Sequence, residues 1–327
     1  MYNILFTSAG RRVELVQQFI KAKAAKGMSG RIVCADLSEL APALYFADGS
    51  ISLPEIKDAQ YIPELLKACI EEKINLIIPT IDTELDVLVK NINLFKENNI
   101  DILISDSSTI RISQDKMETY RFFKSLDLHS PKSYIKGMEY TGEVPCFIKP
   151  LSGSSSINAF KVRNSKELEF FQYYIEDYII QDLIIGDEFT VDVFCDFHGN
   201  PIYITPRLRI ATRSGEVLKT KIVEDPILTQ HILNIIKKLK PNGPLTIQAI
   251  KNQSDGNYYF IEINARFGGG APLSMLAGAD AATALYDLVQ GKDLEFNEKA
   301  ATAELVFLRF DQNISIKKNE EGFYAQY

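Results

Sequence analysis

Residues 260–270 read Phe260-Ile261-Glu262-Ile263-Asn264-Ala265-Arg266-Phe267-Gly268-Gly269-Gly270, and this alternation governs how the rest of the chain is read. Strand side chains repeat every two residues, so Ile261, Ile263 and Ala265 are expected to face a core. Glu262, Asn264 and Arg266 then share the opposite face. A carboxylate and an amide oxygen are hard ligands of the kind Mg²⁺ takes together with water and phosphate. The guanidinium beside them suits phosphate oxygens. Upstream, Leu245-Thr246-Ile247-Gln248-Ala249-Ile250 reads as a second apolar strand with one interior polar position, Gln248. Ser254-Asp255-Gly256-Asn257 joins the two as a hairpin, which would bring Gln248 beside Glu262. An alternating strand with one polar face is most often just an exposed sheet face. The glycine run and Gln248 weigh against that here.

The chain has 327 residues, enough for two or three domains. With 46% apolar and 24% charged residues it has the composition of an ordinary globular protein. A formal charge of −7 argues against nucleic acid or an anionic membrane as the main partner, while leaving room for a local phosphate pocket. Cys34, Cys69, Cys146 and Cys195 are widely spaced in apolar surroundings and read as buried reduced thiols. His129, His198 and His231 have neither triad nor metal spacing. The chain opens directly on a strand, and no apolar run approaches the roughly 20 residues of a membrane span. A soluble cytoplasmic protein is the expectation.

Strands at 2–7, 31–35, 74–79 and 101–104 alternate with helices ending near Gly27 and at about 60–73 and 83–97. That order implies a parallel sheet covered on both sides. Asp36 ends the second strand as a dinucleotide-binding acid would, but the turn Ser8-Ala9-Gly10-Arg11-Arg12 has one glycine where that fingerprint needs three. Its arginines are either solvated or an anion site at a helix start. Pro79-Thr80-Ile81-Asp82-Thr83-Glu84 follows a strand end, where ligands are contacted in such sheets; Thr83 also reads as an N-cap.

A helix carries Asp115-Lys116-Met117. Further on, strand 144–148 ends in Lys149-Pro150 and runs into Leu151-Ser152-Gly153-Ser154-Ser155-Ser156. A lysine before a small flexible loop suits a phosphate cradle, because backbone N–H groups approach the oxygens while the ammonium neutralises them. An idle turn is the plain alternative. An apolar run through Gln181-Asp182-Leu183 precedes Gly186-Asp187-Glu188, where alternation over 188–195 supports a strand. Strand 202–210 bears Arg207 and Arg209 on one face, with Ile204, Pro206, Leu208 and Ile210 expected in a core. The two guanidiniums are either surface charges or a bidentate grip on a substrate carboxylate or its acyl phosphate. Helices are expected at about 226–239, 272–278 and 281–290, and a last apolar strand at 304–310.

In this order Lys116, Lys149 with its loop, Glu188, Gln248, Glu262, Asn264 and Arg266 resemble the ATP-grasp ligases. The wording of 261–267 with the Gly-Gly and Pro-Leu-Ser that follow is most similar to the carbamoyl-phosphate synthase large-subunit branch, reduced to a single ATP-grasp unit. The resemblance covers essentially residues 1–300. It implies an α/β fold: an N-terminal Rossmann-like parallel-sheet (pre-ATP-grasp) domain at 1–110, then a two-lobed ATP-grasp α+β core. The small lobe would span 111–182 and the large lobe 183–327. It also implies that Lys116, Lys149, Ser152, Gly153, Ser154 and Ser155 hold ATP phosphates, and that Gln181, Asp182 and Leu183 line adenine. Glu188 would hold the ribose. Gln248, Glu262 and Asn264 would bind two Mg²⁺ ions, with Mn²⁺ an alternative. Arg266, Arg209 and Lys149 would be catalytic. The implied activity is a carboxylate–amine ligase acting through an acyl phosphate on small-molecule substrates, with a homodimer left open. A nucleotide-binding regulatory protein that keeps the pocket without turnover is the competing class; the complete metal trio argues against it.

Overall fold

The computed structural model describes residues 1–152, 158–319 and 322–326. Five parallel strands form the first sheet: β1 (Ile4–Thr7), β2 (Ile32–Asp36), β3 (Gly49–Ser52), β4 (Leu76–Pro79) and β5 (Asp101–Ile102), in the order β3-β2-β1-β4-β5. Every residue of β1 and β4 is buried, which is why both read as unbroken apolar runs; helices cover both faces of a parallel sheet. The covering helices are α1 (Val13–Ala25), α2 (Tyr61–Glu71), α3 (Asp82–Lys90) and α4 (Ile92–Glu97). The expected 83–97 helix is broken at Asn91, which ends α3 and starts α4. Strand β3 had no reading of its own in the sequence. Its alternate residues are exposed at the sheet edge, so its apolar signal is weak.

The chain then runs through α5 (Ser107–Gln114) and α6 (Lys116–Ser125). Asp106 caps α5 by accepting from the Thr109 N–H at 2.7 Å, and Asp115 caps α6 by accepting from Met117 and Glu118 at 2.8 and 3.0 Å. An aspartate satisfies N-terminal amides that the helix leaves unpaired. The single helix read around 114–119 is therefore two, and Lys116 opens the second. Both pack on the large sheet, Phe123 meeting Phe260 at 5.4 Å between ring centres.

A separate four-stranded antiparallel sheet follows: β6 (Ser133–Ile135), β7 (Cys146–Pro150), β8 (Phe160–Val162) and β9 (Tyr178–Asp182), in the order β6-β9-β7-β8, with helix α7 (Ser165–Tyr174). Its core is small and its own: Tyr134, Cys146, Ile148, Val162, Ile175, Tyr178 and Ile180.

The third sheet holds six antiparallel strands: β10 (Gly186–Cys195), β11 (Pro201–Arg213), β12 (Glu216–Ile222), β13 (Pro244–Asn252), β14 (Tyr258–Asn264) and β15 (Val306–Leu308), in the order β14-β13-β10-β11-β12-β15. Helix α8 (Pro226–Leu239) buries Leu228, Ile232, Ile235 and Ile236 beneath it, and α9 (Ala271–Leu276) and α10 (Ala281–Val289) lie against the first domain. A final hairpin pairs β16 (Ser315–Asn319) with β17 (Gly322–Gln326). Residues of the parallel sheet, α1, α9 and α10 share one core cluster. Phe19 of α1 meets Phe267 at 5.9 Å between ring centres, which ties the segment before the glycine run to the N-terminal domain.

Three expectations fail in the large sheet. The pairing of β13 with β14 shifts between Gln248 and Ala249, so Phe260, Ile263 and Ala265 enter the core while Ile261 is only half-buried. An extra residue at a bulge reverses the alternation, and a period of two cannot reveal it. A second irregularity in β11 after Arg209 turns Ile210 outward, 52% exposed. The 304–310 segment supplies only the edge strand β15, whose apolar residues Val306 and Leu308 are exposed.

Candidate active site

The β13–β14 hairpin places Gln248 directly across from Glu262, and Asn264 across from Thr246. Two arginines orient the amide oxygens. Arg209 Nη1 donates to Gln248 Oε1 at 3.3 Å, and Arg266 Nη2 donates to Asn264 Oδ1 at 3.1 Å. Both amides thus turn oxygen, not nitrogen, toward positive charge, as a metal would require. Among the described residues no group of three His, Cys, Asp or Glu side chains is placed to hold an ion. An ion here would take one carboxylate, two amide oxygens and oxygens from water or phosphate, and that hard donor set fits Mg²⁺.

Two lysines from other elements come to the same place. Lys149, at the end of β7, is 7% exposed, and burial pushes its pKa down to about 8; Glu262 opposes the shift and Lys116 adds to it. Lys116 is lowered too, by burial first, with Glu262, Asp115 and Asp82 opposing. Its ammonium donates to the Leu151 carbonyl at 3.3 Å, at the start of the Ser/Gly loop. Ser152 is exposed there; Gly153, Ser154 and Ser155 lie outside the described residues. The two lysines and Glu262 are 113 to 146 positions apart in sequence, yet each lysine feels the Glu262 charge.

The base and ribose candidates lie along the passage between the two sheets. Gln181 is buried in β9, its amide donating to Ser133 Oγ at 2.8 Å, so only its backbone remains for a base. The Asp182 N–H is taken by Lys132 O at 3.1 Å, and Leu183 follows the strand half-buried. Glu188, near the start of β10, keeps its carboxylate 43% exposed while Arg209 Nε approaches it at 3.4 Å. Arg209 also donates to the Gly215 carbonyl at 2.7 Å. It therefore links the Glu188 side of the site to the Gln248 side.

The reading of Arg207 as a surface charge or free grip is overturned. It is 1% exposed, and its Nε donates to Asp192 Oδ2 at 2.7 Å. Ser274 donates to the same oxygen at 2.6 Å. The guanidinium lies against Gly270, where a β-carbon would sit 2.6 Å from Nη2. Arg207 supports the glycine run from below.

Arg266 reaches into the first domain. Its Nε donates to Asp82 Oδ2 at 3.0 Å, and Nη2 meets the same oxygen. Asp82 is the first residue of α3, where a carboxylate complements the helix dipole. Thr83 does not cap that helix; Ile81 holds the cap position without a side-chain bond. Glu84 turns inward instead, buried and accepting from Tyr61. Asp36 braces the first turn, accepting from the Gly10 and Ser38 N–H groups at 2.8 and 2.9 Å. The sequence reading gave Asp82 no separate role. Its signal was its place just after a strand end.

Residues 4–103 match the family model described as PylC-like, N-terminal domain, and residues 113–270 match that described as ATP-grasp domain. A 3-methyl-D-ornithine–L-lysine ligase of Methanosarcina barkeri is 23% identical over 257 residues, 79% of this chain and 66% of that protein. A D-alanine–D-alanine ligase of Fusobacterium nucleatum is 26% identical over 165 residues, 47% of this chain and 56% of that protein. The chain thus spans under two thirds of the length of these curated relatives. Among solved structures, the biotin carboxylase domain of Hydrogenobacter thermophilus 2-oxoglutarate carboxylase, in complex with MgADP and bicarbonate, superposes with TM-score 0.73 at 16% identity, over 99% of this chain and 83% of that one. An L-amino acid ligase of Bacillus licheniformis superposes with TM-score 0.69 at 16% identity, over 90% of this chain and 75% of that one. At such identities the likeness is one of fold.

Proposed function

We propose a function from one premise: the chain belongs to the ATP-grasp superfamily, with an ATP-grasp domain behind a PylC-like N-terminal domain. The function is ATP-dependent ligation of a carboxylate to an amine. A carboxylate oxygen attacks the γ-phosphorus of ATP, the bond to the β–γ bridging oxygen breaks, and ADP leaves. The amine lone pair then attacks the carbonyl carbon of the acyl phosphate, inorganic phosphate departs with the C–O bond electrons, and the amine gives up a proton. The observation that carries this reading is that Lys116, bonded to the Leu151 carbonyl just past Lys149, and buried Lys149 itself both lie within the field of Glu262. Two cations suited to phosphate and a carboxylate suited to Mg²⁺ thus share one region.

In this reading Lys116, Lys149 and the loop from Ser152 through Ser155 hold the phosphates. The backbone at Gln181, Asp182 and Leu183 lines the base, and Glu188 meets the ribose hydroxyls. Gln248, Glu262 and Asn264 hold two Mg²⁺, or Mn²⁺ in their place, which neutralise charge on the transferred group. Arg266, kept in place by Asp82, faces the reacting oxygens. Arg209 holds Glu188 and Gln248 in their mutual arrangement and is in reach of the same phosphoryl group. Positioning and charge neutralisation are what phosphoryl transfer needs from a protein. A homodimer belongs to the same proposal, after the dimer of the Hydrogenobacter domain, and light scattering would test it.

The experiment is ADP release with Mg·ATP over a panel of carboxylates paired with amines. Release that needs both substrates supports ligation. Mg·ATP binding by calorimetry with no release across the panel would return the chain to a nucleotide-binding regulatory role.

A further inference from the structure

Arg11 and Arg12 look alike in the sequence, but the fold separates them. Gly10 takes a left-handed conformation with φ of 46°, Arg11 is exposed, and Arg12 turns inward at the start of α1. Its Nη2 donates to the Thr80 carbonyl at 3.2 Å. Its Nη1 lies over the glycine run: a β-carbon on Gly269 would sit 2.8 Å from it. Among the described residues no carboxylate comes within 4.0 Å of Arg12. Asp82 is engaged by Arg266, and Glu216 approaches Arg309 Nη1 at 3.9 Å. Arg309 also meets Glu14 at 3.4 Å. Burial lowers the Arg12 pKa to about 10, with Arg266 lowering it further, Glu216 and Asp82 opposing, and Arg309 again lowering it.

A half-buried guanidinium with one carbonyl partner, beside two further arginines, keeps its other donors open to solvent and so to a ligand. An oxyanion would complete it, because the planar fork accepts two oxygens at once. Position tells which oxyanion. Arg266 bonds Asn264 on the metal side at 3.1 Å and Asp82 at 3.0 Å, whereas Arg12 bonds the Thr80 carbonyl and lies against Gly269. The donor carboxylate has to reach the phosphoryl group on the metal side. A carboxylate at Arg12 is therefore one that the reaction does not consume.

We propose that Arg12 is a specificity-determining residue, the N-terminal domain's contribution to the site, and that it binds a carboxylate carried by the amine substrate. The assignment rests on the ligase reading above. Gly269 lacks a side chain so that the guanidinium can lie against the loop.

The test compares amines in matched acid and neutral forms: glycine with glycinamide, alanine with alaninamide, lysine with lysinamide. Each is titrated into the protein with Mg·ADP, and each is assayed for ADP release with Mg·ATP and the carboxylate panel. Wild-type protein is expected to favour the acid form by at least about tenfold, since a site built to bind a polar group rejects the analogue lacking it. Arg12→Gln removes that preference, Arg12→Lys keeps part of it, and KM for ATP changes less than about twofold in both. Gly269→Ala supplies a variant that leaves Arg12 in place. Its methyl group displaces the flexible end of the arginine, so the same preference falls while the melting temperature holds. Retention of the full preference in Arg12→Gln and Gly269→Ala overturns the proposal. So does a rise confined to KM for ATP, which would put Arg12 on the nucleotide. If no pair supports ADP release, the ligase reading fails, and binding of the acid and amide forms still decides the role of Arg12.

Discussion

The two walls of the candidate site are built differently. The six-stranded sheet is continuous with the N-terminal domain: α1, α9 and α10 share a core with the parallel sheet, and Arg266 clamps Asp82 across the junction. The four-stranded sheet that carries Lys149 has a separate core of seven buried residues, and α7 on its surface has no buried residue at all. Its rings stack mainly on each other, Phe160 on Phe171 at 4.2 Å between centres. Packed interiors move as units, and a unit with few buried apolar contacts opens at low free-energy cost. The proposed metal ligands thus stand on the fixed wall and Lys149 on the wall able to shift. Phosphates bound between them would be gripped by closure of the small sheet.

The largest effect is expected on the fixed wall. Glu262→Gln keeps shape but removes the one carboxylate of the ligand set, so ADP release should fall on the order of a thousandfold, several kcal/mol of charge stabilisation. The melting temperature without nucleotide should stay near wild type. Normal turnover in this variant would remove Glu262 from the site and leave the two walls without a shared centre.

Next comes the buried lysine. An unfolded lysine titrates near 10.5 and Lys149 in the fold near 8. Between those values the unfolded chain holds the extra proton, so this group makes stability rise with pH across that window, while its full penalty is present below it. Lys149→Met should melt above wild type at pH 7 and lack the rise between pH 8 and 10.5, while losing about a hundredfold in ADP release. Phosphate favours the charged form. Wild-type protein should therefore take up protons on binding Mg·ADP at about pH 9, read by calorimetry in two buffers of different ionisation enthalpy. A pH profile of stability shared by both proteins would show that Lys149 is not desolvated.

The smallest effect sharpens the contrast itself. Phe171→Ala removes a stacked pair worth about 1 kcal/mol beyond its burial. Hydrogen exchange should quicken in β7, β8 and β9 and stay unchanged in β10, β13 and β14. Equal loosening of both sheets would mean that they form one cooperative unit.

Much of this is legible in the amino-acid sequence. Helix α8 is legible as 226–239 and spans Pro226–Leu239, with proline at its first turn and Pro241-Asn242-Gly243 beyond its end. The parallel sheet reads from its short apolar runs. The hairpin of β13 and β14 reads from its turn, so the meeting of Gln248 with Glu262 was expected. What escaped depended on contacts between distant segments. Ile261 was placed in the core because alternation is blind to a bulge. Arg207 and Arg209 stand two residues apart with the same pattern, yet one is locked to buried Asp192 and the other spans Glu188 and Gln248.

By itself the sequence determined most of the longer elements, the parallel first sheet, the β13–β14 hairpin, and the set of polar residues available to a phosphate and a metal. These follow from local period, capping and turn chemistry, which act over a few residues. Only the tertiary structure decided where each charge lies: Asp82 against Arg266, Arg12 over Gly269, and Lys116 and Lys149 within the field of Glu262. A charge acts through its separation and its degree of burial, and both are set by how sheets far apart in the chain pack together.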